Sequence, residues 1–142
     1  MTDKKRILIL CTGNSCRSQM AEGVLRHYGG DRFEVFSAGT APSRVNRVAI
    51  DVMKEIGIDI SGQRSKHVEE FKGRKFDCVI TVCDDARESC PFFPGPVKRL
   101  HWSFPDPPHE REITSETIEA FRSVRDQIHR KFRELAETGR LE

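Results

Sequence analysis

The run "RILIL" at residues 6–10, followed at once by "CTG", limits the possible folds more than any other feature. A continuous apolar run of this length suits a strand buried on both faces, as in a parallel sheet, rather than an alternating surface strand. "DCVITVC" (77–83) has the same character, and "FEVFSAGT" (33–40) and "VKRLHWSF" (97–104) read as two more strands. Helical spacing separates them. "MAEGVLRHYGG" (20–30) brings round Met20, Val24 and His27 and stops at paired glycines. "NRVAIDVMKEIG" (46–57) is amphipathic through Val48, Val52, Met53 and Ile56, with Asn46 as cap and Gly57 as stop. A long closing helix over 115–137 carries Ile118, Phe121, Val124, Ile128, Phe132 and Leu135 on one face. Strands that alternate with helices predict an α/β fold, here a four-stranded parallel sheet flanked by helices. With 142 residues, no repeat and no linker, a single domain over 1–142 is expected.

Composition excludes several classes of function. The net charge of +2 comes from 24 basic and 22 acidic residues, so no strong field favours nucleic acid or a membrane surface. No apolar run reaches the length of a membrane span. The apolar stretch behind "MTDKKR" is too short for a signal peptide, which points to a reducing, cytoplasmic setting. The five cysteines are then expected to rest as thiols, and an odd number argues against a fixed disulfide framework.

In parallel α/β sheets ligands bind beyond the carboxyl ends of the strands. Cys11, Cys83 and the segment "FPDPPH" (104–109) all fall at that edge. Cys11 and Arg17 form C-x5-R in a loop that enters a helix N-terminus, where free N–H groups and the helix dipole favour an anion. Gly13 lets the loop curl, and the planar fork of Arg17 suits two oxygens of a tetrahedral oxyanion. Thr12, Gly13, Asn14, Ser15, Cys16, Arg17 and Ser18 are the expected lining. The same field is expected to depress the Cys11 thiol into the range ~3.5–7.5 of activated cysteines, with Ser18 donating to the sulfur. Asp106, before Pro107, is either a general acid facing the pocket or simply a turn residue. Cys83 and Cys90, in "CDDARESC", are either redox partners or incidental. They lack the spacing of a zinc site, and no metal is expected. Cys16 and Cys78 read as packed thiols.

"CTGNSCRSQMAE" resembles the active-site loop of the low-molecular-weight protein tyrosine phosphatase superfamily, and most of all the thioredoxin-coupled arsenate reductases built on that fold. The resemblance extends through "SAGT", "MKEIGIDISGQ", "TVCDDARESCP", "HWSFPDPP" and "VRDQI". It implies a flavodoxin-like strand order, Cys11 as nucleophile, Arg17 as oxyanion clamp and Asp106 as general acid. It also implies Cys83 and Cys90 as relay thiols, arsenate as substrate with phosphate and sulfate as mimics, and thioredoxin as the reducing co-substrate. Gln19 follows the reductase pattern, where the phosphatases usually carry proline. The rival readings are a phosphatase of the same fold, which leaves Cys83 and Cys90 idle, and a module that only binds oxyanion. Some family members hold potassium beside the loop through Asn, Glu, Ser and Asp. Asn14, Glu22 and Ser37 match, but Lys66 stands in place of the Asp, and its ammonium speaks against potassium here.

Strands one and three are expected side by side, which brings Cys83 within reach of Cys11. "DDARES" is expected to form a short helix that would hold the Cα atoms of Cys83 and Cys90 about 10.5 Å apart. A disulfide needs roughly 4.4–6.8 Å, so that helix would have to unwind.

Overall fold

The computed structural model describes residues 4–83, 97–108 and 112–141. In chain order they form β1 (Lys5–Cys11), α1 (Arg17–Gly29), β2 (Phe33–Gly39), α2 (Arg47–Glu55), a 3-10 turn (Val68–Phe71), β3 (Cys78–Thr81), β4 (Lys98–His101) and α3 (Ser115–Thr138). The four strands make one sheet in the order β2-β1-β3-β4. Every pairing is parallel. The expected α/β class, the parallel sheet and the adjacency of strands one and three are all borne out.

β1 is one of the two interior strands, and its Ile7, Leu8, Ile9 and Leu10 are wholly buried, as the unbroken apolar run required. Around it Met20, Val24 and Leu25 of α1, Val52 and Met53 of α2, and Phe121, Ile128 and Phe132 of α3 complete the core. α1 packs on α3 closely enough that a methyl group at Gly29 would stand 3.1 Å from the Ala136 side chain.

Helix ends follow local chemistry. Asn46 caps α2, its Oδ1 accepting from the Val48 and Ala49 N–H groups at 2.8 and 3.2 Å. Thr114 caps α3 by accepting from Thr117 N–H at 3.2 Å. Gly139, at φ +70°, ends α3 in the left-handed conformation that favours glycine. Several boundaries differ from expectation. α1 begins at Arg17 rather than Met20, because the loop runs straight into the helix and the Cys16 carbonyl already accepts from Met20 N–H at 2.8 Å. β3 and β4 are shorter than the stretches 77–83 and 97–104 read as strands, yet the chain beyond them stays aligned: Val82 N–H donates to Leu10 O at 2.9 Å and Phe104 N–H to Val82 O at 3.2 Å. The expected helix in "DDARES", and Cys90 with it, lies outside the described residues. Among the described residues no helix is long and apolar enough to cross a membrane.

Candidate active site

Cys11 is the last residue of β1, paired in register with Gly39 of β2. Between it and α1 the loop closes on itself, and its outward carbonyls are tied down by the β2–α2 connection. Thr40, Ala41, Ser43 and Asn46 donate N–H bonds to the carbonyls of Cys11, Thr12, Gly13 and Ser15 at 3.3, 2.9, 3.0 and 2.9 Å. The Ser65 hydroxyl adds a bond to Gly13 O at 3.1 Å. A trans peptide points its N–H opposite to its C=O. Anchoring these carbonyls therefore turns the N–H groups of Thr12, Gly13 and Cys16 away from the anchors. Thr12 N–H is among the groups that act on the Cys11 thiol.

The result is a cavity of about 200 Å³ lined by Cys11, Thr12, Gly13, Ser15, Cys16, Arg17, Ser43 and Asp106. Six of these were expected from the loop sequence, and Asp106 joins them from the far side of the sheet. Ser43 was not foreseen, because its place depends on β2 pairing with β1. Arg17 donates to Phe104 O at 3.2 Å and lies 3.5 Å from the Asp106 carboxylate. Its buried Nε has no hydrogen-bond partner among the described residues. A buried guanidinium N–H without an acceptor, on a residue that lines this small cavity, fits an oxyanion ligand.

Asn14 shapes the loop from behind. It adopts φ +47° and is wholly buried. Its Nδ2 donates to Ser18 Oγ at 2.7 Å and to Ser37 Oγ at 3.0 Å, and its Oδ1 accepts from Gln19 Nε2 at 3.0 Å and Lys66 N–H at 2.8 Å. Ser18 thus serves the Asn14 network, and it is not among the groups acting on the Cys11 sulfur. Ser37 in turn donates to the buried Glu22 at 2.5 Å. Lys66 Nζ stands 3.9 Å from the same Glu22 oxygen, and Arg26 takes the other at 2.9 Å. Burial lowers the Lys66 pKa and Glu22 works against that shift. These residues do not fit a potassium ion: an ammonium and a guanidinium already stand on the one carboxylate.

Cys83 is the neighbour of Cys11. Its sulfur lies 3.3 Å from Thr12 Oγ1, and it acts on the Cys11 thiol. None of the four described cysteines, Cys11, Cys16, Cys78 and Cys83, is in a disulfide. The expected depression of the Cys11 thiol is corrected here. The neighbouring Cys83 thiol and burial push it well above the ordinary value, while Arg17 and the Thr12 N–H pull it down. The sequence reading weighed the helix dipole, the loop N–H groups, Arg17 and Ser18, and although it brought Cys83 within reach it did not count the effect of that sulfur, or of burial, on the thiol. Cys16 is pushed up to about 11, chiefly by burial, and Cys78 by burial to about 12. Both behave as the packed thiols expected of them.

Comparison with known proteins agrees with this geometry. The family model of low molecular weight phosphotyrosine protein phosphatase matches residues 6–141. The arsenate reductase of Bacillus subtilis (strain 168) is 46% identical over 138 residues, which cover 97% of this chain and 99% of the relative. A solved arsenate reductase in its oxidized state is 35% identical with a TM-score of 0.77, over 94% of this chain and 97% of that one. Another, in a phosphate-binding state, is 34% identical with a TM-score of 0.72 over the same shares. The resemblance carried by the loop and its companion motifs is thereby borne out, and the chain belongs to the low-molecular-weight phosphotyrosine protein phosphatase family.

Proposed function

We propose that this protein reduces arsenate to arsenite by a thiol relay through Cys11, Cys83 and Cys90. The observation that carries the reading is Cys83: a second buried thiol beside Cys11, which itself lines the oxyanion cavity. Hydrolysis of a phosphate ester has no use for it, whereas a two-electron reduction does. The likeness to arsenate reductases supports the same choice.

Arsenate docks on the loop N–H groups and Arg17. The Cys11 thiol passes its proton to a docked arsenate oxygen, its sulfur attacks arsenic and forms an S–As bond, and the departing oxygen leaves as water with a proton from Asp106. Arsenic is still pentavalent at this point. The Cys83 thiolate then attacks the Cys11 sulfur. An S–S bond forms, the S–As bond breaks, and its electron pair stays on arsenic, which leaves as trivalent arsenite. Thr12 Oγ1, 3.3 Å from the Cys83 sulfur, is placed to donate to that thiolate. Cys90 next attacks Cys83, which frees Cys11 and leaves a Cys83–Cys90 disulfide. A protein dithiol of the thioredoxin class reduces this bond and restores the enzyme, in keeping with a cytoplasmic role in arsenic detoxification.

The test is arsenate-dependent NADPH consumption in the presence of thioredoxin and its reductase. Cys83→Ser is expected to abolish multiple turnover while sparing weak hydrolysis of an aryl phosphate. A Cys83→Ser protein that still turns over arsenate would refute the relay.

A further inference from the structure

Glu22 is a carboxylate only 3% exposed, and a buried carboxylate is costly without a counter-charge. Its two oxygens face different surroundings. Oε2 pairs with Arg26, whose side chain is 53% exposed. Oε1 faces inward, toward Ser37 and the back of the anion loop. Lys66, 13% exposed, brings its ammonium to that inner oxygen. The same Nζ donates to Arg64 O at 2.5 Å. A position between a carboxylate and a peptide carbonyl is of the oxygen-lined kind that a monovalent metal ion takes. From Oε1 the hydrogen bonds run through Ser37 and Asn14 into the loop. The main chain of Lys66 is bound to the same structure: its N–H donates to Asn14 Oδ1 at 2.8 Å, and its carbonyl accepts from Gly39 N–H at 2.8 Å.

We infer that Lys66 is a positioning residue of the anion loop, a covalently fixed cation that holds Glu22, and through it Ser37 and Asn14, in register. The chain thus carries its own monovalent cation, and the loop keeps its shape without one from solution. The inference rests on the loop being an anion site and not on the relay, so its test reads anion binding alone.

Sulfate affinity is measured by calorimetry in choline, sodium and potassium chloride of equal ionic strength. The wild type is expected to bind equally in all three. Lys66→Ala opens the oxygen-lined position. Its affinity is expected to fall about tenfold in choline, a coupling of ordinary size between linked sites, and to return in potassium. Lys66→Met keeps the apolar stem, removes the charge and fills the space, so it is expected to show the same loss with no rescue by any salt. Three results would overturn the inference: wild-type affinity that rises several-fold with potassium, Lys66→Met binding as tightly as wild type, or a Lys66→Ala deficit that potassium leaves unchanged. Should Lys66→Ala fail to fold, Lys66→Met alone decides. A wild type that binds no sulfate overturns the loop assignment itself, a result distinct from the other three.

Discussion

Asn14 shows how much of the site one residue can hold. At φ +47° it sits where an L residue costs roughly 1–2 kcal/mol, although asparagine tolerates the region better than most. Its amide is bonded at both ends, to Ser18, Ser37, Gln19 and Lys66. Two substitutions separate these contributions. Asn14→Ala loses the bonds and keeps the backbone strain, and is expected to cost about 3 kcal/mol, since several buried groups are left without partners. Asn14→Gly loses the same bonds but relieves the strain, and is expected to be about 1 kcal/mol more stable than Asn14→Ala. Urea unfolding of the two variants checks the difference. Equal stabilities would show that the left-handed backbone carries no cost here.

At the scale of elements, the anion loop is a junction where β1, α1, β2 and the segment leading to the 3-10 turn meet. Gly39 marks how close that meeting is: a methyl group there would come 2.4 Å from Thr12 O and 2.9 Å from Asn14 N. Both contacts are main chain, so the loop itself would have to move. Gly39→Ala is therefore expected to lower the melting temperature and weaken sulfate binding together. A variant that loses stability but binds sulfate normally would show that the loop absorbs the methyl without changing shape. This junction also separates what could be read from the sequence from what could not. The strands and helices were legible because "RILIL" and the spacing of Ile118 to Leu135 express burial locally. Cys11 and Arg17 were legible because loop and helix are contiguous. Ser43, Ser65 and Gly39 carried no local signal, since their roles exist only once β2 lies beside β1. The raised Cys11 thiol was missed for a different reason: Cys83 was expected nearby, but its effect and that of burial on the thiol depend on side-chain packing that the sequence does not express.

At the scale of the molecule, α3 is fastened to α2 by charge as well as by packing. Glu55 accepts from Arg122 at 2.7 Å and from Arg125 at 2.7 Å, and Arg125 also donates to Val52 O at 2.9 Å. Arg122 and then Arg125 hold the Glu55 carboxyl down at about 2, against an ordinary 4.5. A carboxyl depressed in the folded state stabilises the fold above its unfolded pKa, and that contribution disappears as pH falls through the folded value. Glu55→Gln is therefore expected to melt below the wild type at pH 7, with the gap closing between about pH 4.5 and 2. A gap constant with pH would mean that the carboxylate charge is not what holds α2 to α3. The interior place of β1 has a consequence for a chain that is still being made. Its loop takes shape only against partners supplied by Gly39 to Asn46 and by Ser65 and Lys66, and Cys83 comes later still. On the proposed reading an emerging or half-folded chain displays the whole motif and owns no receptor, so oxyanion is a ligand of the finished protein alone. Such a ligand draws the equilibrium toward the native state in proportion to its concentration, and on that reading phosphate becomes a standing reinforcement of the fold.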